Sequence, residues 1–182
     1  MKSLLLLGTV LVCGLVGAQE TIESQLLQIT ARLEKLERES EERVNRSQVA
    51  FSAALYDTED WTDPGPYISD TTLQFKKVKT NIGNAYCPDT GVFTAPVKGL
   101  YYFQFTGVVG KSGKLNAGLK VNGLNTIAIY HKAGTQASAT NAVALELEEG
   151  DRVFTQIWGG RSLTLADQGR LTTFTGFLVF PL

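Results

Sequence analysis

The sequence predicts an all-β sandwich or jelly roll preceded by a short α-helical coiled coil. Three observations carry that prediction. From Val49 onward apolar residues recur with a period of two, the pleat of a half-buried strand. Between Ile22 and Leu36 they recur instead at alternating spacings of four and three, the stripe of a heptad. The two regions also differ in composition. Every Phe, Trp and Tyr lies between Phe51 and Phe180, and no glycine occurs between Gly17 and Gly65. The chain has 182 residues, 43% hydrophobic and 19% charged, which suits a single folded domain with a small appendage and not a disordered chain.

Residues 1–18, MKSLLLLGTVLVCGLVGA, are expected to be a secretory signal peptide. Lys2 supplies the positive start, Leu4 to Val16 the apolar run, and Val16-Gly17-Ala18 the small residues before cleavage between Ala18 and Gln19. The apolar run falls short of the roughly 20 residues that a spanning helix needs. Cleavage would also remove Cys13 and leave Cys87 without an intramolecular partner.

Residues 19–44 are expected to form the coil. They are rich in Glu, Gln, Leu, Arg and Lys, with no Gly or Pro to interrupt a helix. Leu26 and Leu33 take a positions, and Ile22, Ile29 and Leu36 take d positions. That leaves Arg32 at g and Glu37 at the following e, opposed across chains in a parallel coil. Leucine at a with isoleucine at d favours trimers or tetramers over dimers. A stripe this short is marginal by itself, because brief helices need packing partners. Residues 45–48 read as a linker, and Asn45-Arg46-Ser47 is a glycosylation sequon with Asn45 as acceptor.

Residues 49–182 are expected to be the β domain. Val49, Phe51, Ala53 and Leu55 alternate with small or polar residues, as do Tyr101, Phe103 and Phe105. Leu115 to Val121 and Ile127 to Tyr130 flank Asn122-Gly123, a strong two-residue hairpin signal. Val143 to Leu147, Val153 to Trp158 and Thr173 to Phe180 complete the series, punctuated at Gly150, Gly159-Gly160 and Asp167-Gln168-Gly169.

Several chemistries are excluded or left without support. Lys and Arg number 17 against 18 Asp and Glu, so no basic excess exists to neutralise nucleic-acid phosphates or an anionic membrane. His131 is the only histidine, no G-x-S-x-G elbow occurs, and Gly107, Gly110 and Gly113 lack the Lys-Ser/Thr of a phosphate loop. No enzyme and no cofactor are therefore expected. Asp57, Glu59, Asp60 and Asp63 offer hard oxygens that suit calcium, but without the glycine and terminal glutamate of an EF-hand loop. Calcium is the one cofactor left open, and a solvated acidic loop is the preferred reading.

Phe75, Asn81, Tyr86, Phe93, Gly99, Tyr101, Phe103 and Phe105 stand in the order F-x5-N-x4-Y-x6-F-x5-G-x-Y-x-F-x-F. This resembles the signature of the globular head of the complement C1q family. The ending Phe174 to Leu182 is similar to that family's closing strand, above all in the cerebellin branch. The resemblance covers about three quarters of the chain and implies a ten-strand jelly roll of the tumour necrosis factor type, assembled as a trimer. It further implies a secreted recognition protein that binds an extracellular glycan, lipid or protein receptor. The partners are then copies of itself, in trimers, their multiples or mixed trimers with paralogues. Innate-immune recognition is the favoured role, and a synaptic organiser or hormone-like ligand is the alternative. Calcium-binding relatives carry an acid in a loop that here, Tyr130 to Ser138, has none. The signature aromatics are read as core, and Gly99 as a turn residue. Cys87, in a turn flanked by Tyr86 and Pro88, is expected to stay shielded and unlinked.

Overall fold

The computed structural model describes residues 2–56, 58–63, 65–132 and 134–182, with side chains from Ile22 onward except Arg46. Two units result, Met1–Val44 and Asn45–Leu182.

The first unit is helical. Helix α1 runs Lys2–Arg46, through the backbone of the expected signal and into the expected linker. The side chains of Ala18 and Gln19, at the expected cleavage point, lie outside the described residues. Ile22, Leu26, Ile29, Leu33 and Leu36 are 54–63% exposed, so the heptad stripe is uncovered in the single chain. Asn45 and Arg46 belong to the last helical turn, whose end is marked by Gln48 N–H donating to the Asn45 carbonyl at 3.3 Å.

The second unit holds eleven strands: β1 Ala50–Ala54, β2 Thr71–Thr72, β3 Lys77–Ile82, β4 Tyr86–Cys87, β5 Val92–Thr94, β6 Gly99–Val109, β7 Leu115–Val121, β8 Leu124–His131, β9 Ala137–Leu147, β10 Arg152–Ile157 and β11 Thr173–Pro181. Ten of them form two antiparallel sheets in the orders β3-β1-β11-β6-β9 and β4-β5-β10-β7-β8, and the two-residue β2 pairs with β10. This is the jelly-roll sandwich that the alternation predicts.

Period-two burial along β6 sends Tyr101, Phe103 and Phe105 inward, each fully buried. Phe103 meets Phe51 and Phe174 from the same sheet and Phe93 from the opposite one, and Phe51 and Phe174 in turn meet Tyr86 across the sandwich. Phe51 stacks on Tyr86 with centroids 4.6 Å apart and meets Phe174 edge-on at 4.9 Å. Phe93 meets Phe103 edge-on at 5.2 Å. Offset and edge-on ring pairs add about 0.5–1.5 kcal/mol each to what burial alone contributes. The aromatic cluster is thus the bond between the sheets.

Strand ends differ from expectation where sequence contrast is weak. Pairing of Val109 with Ala137 carries β9 six residues upstream of Val143, across Ala, Ser, Thr and Asn that show no clear apolar alternation. Strands β2 to β5 are short and, in β3, rich in Lys, Thr and Asn, so their pattern does not stand out from loop sequence. Register with neighbours decides those strands, not local preference.

Candidate functional site

The signature residues are brought together, and they build the core. Tyr86 accepts a hydrogen bond from Phe75 N–H at 3.1 Å and donates its hydroxyl proton to the Phe75 carbonyl at 3.2 Å. Burial pushes that phenol above its ordinary range. Asn81 grips the same residue's main chain, donating Nδ2–H to the Tyr86 carbonyl at 2.8 Å and accepting its N–H at 3.2 Å. The Tyr101 hydroxyl donates to Val97 O at 2.7 Å, and burial raises its pKa as well. Gly99 corrects its expected role as a turn residue. It opens β6, and a Cβ there would lie 2.6 Å from Leu178 and 2.8 Å from the Phe180 carbonyl. Close approach of β11 excludes a side chain.

The other face of the five-stranded sheet is the candidate assembly surface. Register aligns Ile82, Ala50, Phe177, Tyr102 and Ala144 across all five strands. The next row is Thr80, Ser52, Thr175, Gln104 and Ala142. Neither row carries a charge. Tyr102 and Phe177 pair with centroids 5.3 Å apart, and Ser52 and Thr175 share a 3.2 Å hydrogen bond. Ile82 is 52% exposed and Phe177 39%. Sequence reasoning missed this face, although a signal was present. Tyr101-Tyr102-Phe103 and Phe177-Leu178-Val179-Phe180 are unbroken apolar runs, which in a strand put apolar groups on both faces.

The remaining candidates stay dispersed. His131 closes β8 with Nε2 3.3 Å from the Thr135 hydroxyl, and no carboxylate orients it among the described residues. Asp57 lies outside the described residues. Asp63 turns inward, one carboxylate oxygen buried without a partner and the other beside Gly110. No group of three His, Cys, Asp or Glu is placed to hold a metal among the described residues. Asn45 is exposed at the end of α1. Cys87 corrects the expected shielding and the expected turn. It ends strand β4, whose pleat buries Tyr86 and therefore exposes the thiol. The Thr90 hydroxyl, then the N–H groups of Thr90 and Asp89, hold its pKa below the ordinary thiol value. Among the described residues no helix is long and apolar enough to cross a membrane.

The C1q domain family matches residues 50–179. The chain belongs to the C1q domain family. It is 34% identical over 139 residues to the B-type polypeptide of the human complement C1q subcomponent, covering 74% of this chain and 51% of that protein. It thus spans about half the length of this curated relative. The globular domain of zebrafish complement 1qA superposes with a TM-score of 0.58 at 23% identity, covering 74% of this chain and all of that one. The Eiger TNF structure from S. frugiperda superposes at 0.58 with 13% identity, covering 75% and 96%. The last two likenesses show the shared jelly roll. C1q-domain proteins are non-enzymatic recognition or ligand proteins.

Proposed function

We propose that this chain is a secreted, homotrimeric recognition protein of innate immunity. The observation that carries the assembly is the uncharged outer row of Ile82, Ala50, Phe177, Tyr102 and Ala144. An apolar row five strands wide, flanked by an uncharged polar row, supports an interaction surface, because soluble monomers seldom leave large apolar patches uncovered. The exposed Leu/Ile stripe of residues 19–44 supports the same assembly, since it too needs copies of itself. Three heads on one axis present each loop three times, and avidity multiplies weak contacts with a repetitive surface. Likeness to a complement polypeptide supports the immune role. The apolar run of residues 4–16 supports export, with cleavage between Ala18 and Gln19 and a glycan on Asn45. Light scattering of the secreted protein tests the central claim: a three-chain mass is expected, and a monomer mass at micromolar concentration overturns it. N-terminal sequencing and a glycosidase shift abolished by Asn45→Gln test the rest.

A further inference from the structure

Asn122-Gly123 is the chain's only Asn-Gly pair, and it joins β7 to β8. Both residues are exposed, and nothing lies within 4 Å of where a Gly123 Cβ would be, so water reaches the turn freely. The Asn122 side chain is nonetheless held at both of its polar atoms by the opening of β10. Its Nδ2–H donates to Asp151 Oδ1 at 2.8 Å, and its Oδ1 accepts Arg152 N–H at 2.9 Å. The main-chain N–H of Asn122 donates to Arg152 O at 2.9 Å. Asp151 fastens more than this turn. Its other carboxylate oxygen accepts Glu148 N–H at 2.9 Å, and its carbonyl accepts Ala95 N–H at 2.9 Å. The Asn122 amide, then Glu148 N–H, hold its pKa below the ordinary value, so it is a carboxylate at neutral pH. Glu146, Glu148 and Glu149 stand just before it, and Lys98 reaches the first two at 3.8 and 2.7 Å.

An asparagine followed by glycine is especially prone to lose its side-chain amide, because glycine puts no Cβ in the way of its own nitrogen. The Gly123 nitrogen attacks Asn122 Cγ and a C–N bond forms. The Cγ–Nδ2 bond breaks, and Nδ2 leaves as ammonia with the proton that Gly123 gave up. The product is a cyclic imide. Water then opens that ring at one of its two carbonyls, leaving aspartate or its isomer whose main chain runs through the side-chain carboxyl. Water is the only reagent consumed.

We propose that Asn122 is a deamidation site gated by its bonds to β10, and that the product releases the β7–β8 hairpin from that strand. To reach the Gly123 nitrogen, Cγ must swing away from Asp151 and Arg152, which breaks both side-chain bonds. The reaction therefore draws on the opened turn, and its rate follows the population of that form. Conversion puts a carboxylate where a donor had been. It faces the Asp151 carboxylate with no proton between them, a like-charge pair that the closed turn cannot hold. The isomer adds a main-chain atom and breaks the geometry of the two-residue turn as well. Ammonia is lost to solvent, so converted chains accumulate with age.

The test is timed incubation of the full mature chain at neutral pH, native and in denaturing urea, with conversion at Asn122 read by peptide mass spectrometry and isoaspartate labelling. Native conversion is expected to be slower than in urea by roughly tenfold or more, since only the opened form reacts. Asp151→Ala, held well below its melting temperature, should speed native conversion severalfold and leave the rate in urea unchanged. Gly123→Ala should slow the rate in urea. Asn122→Asp, which mimics the product, should lower the melting temperature by several degrees. Adding Asp151→Asn to it should recover most of that loss, because the swapped pair again sets one donor against one acceptor. Native conversion as fast as in urea, a native rate unmoved by Asp151→Ala, a rate in urea unslowed by Gly123→Ala, or a swapped pair no more stable than Asn122→Asp alone overturns the proposal.

Discussion

Cys87 shows how one residue's behaviour follows from strand pleat. Tyr86 and Pro88 are bulky neighbours, yet alternation turns Tyr86 into the core and its successor outward. Thr90 stabilises the thiolate, so the folded-state pKa is depressed and the reactive form appears at lower pH than in a free thiol. Labelling of native protein with a thiol reagent should reach half its maximal rate below the ordinary thiol pKa of about 8.5, and Thr90→Ala should move that midpoint up. A thiol that labels only after denaturation would contradict the exposure. Gly176 is a second single-residue case. A Cβ there would lie 2.5 Å from the Phe103 ring and 2.7 Å from Phe51. Gly176→Ala should destabilise the head by about 1–3 kcal/mol through overpacking, read as a lower melting temperature with the oligomeric state retained.

The β7–β8 hairpin is governed by local chemistry that reaches beyond its own turn. Asn122 and Gly123 adopt φ of 50° and 87°, both left-handed, as a two-residue I′ turn requires. Asn122 also ties the hairpin to the start of β10. Its Nδ2–H donates to Asp151 at 2.8 Å, and its Oδ1 accepts Arg152 N–H at 2.9 Å. Gly123→Ala should cost roughly 1 kcal/mol, seen as a shifted denaturation midpoint with an unchanged slope. The Asn122 amide, then Glu148 N–H, lower the Asp151 pKa. A carboxylate depressed in the folded state contributes its stability above its unfolded pKa of about 3.9, and loses it as pH falls through the lower folded value. The melting temperatures of wild type and Asp151→Ala should therefore differ near pH 7 and converge below about pH 4. A gap that persists at pH 2 would locate the effect in packing instead.

Assembly belongs to the whole molecule, which has two devices of unequal strength. The coil offers five stripe residues per chain, each contributing about 1.5–3 kcal/mol on burial before the entropy of ordering is subtracted. The head offers a face five strands wide. A chain beginning at Ser47 should therefore remain trimeric, with a lower melting temperature. Tyr102→Glu with Phe177→Glu should yield monomers even when the coil is present, because two carboxylates would be buried without partners. Sedimentation distinguishes the outcomes, and a monomeric head with wild-type sequence would make the coil the principal assembly device.

Features of this protein that depend on short-range periodicity are legible in the order of its residues. The heptad of residues 22–36, the alternation of Tyr101, Phe103 and Phe105, and the Asn122-Gly123 turn are each set by residues within a few positions of one another. The spacing of the eight signature residues was legible for the same reason, and with it the family. What tertiary structure decided are the relations between residues far apart in the chain. Tyr102 and Phe177 become one surface only through β6–β11 register, and Gly99 is required by a strand some eighty positions later. Asn122 is fastened to Asp151 only because β7 lies beside β10. Strand pairing is a long-range choice made by packing, and a strand's own residues state only which face is apolar, not which strand will lie beside it.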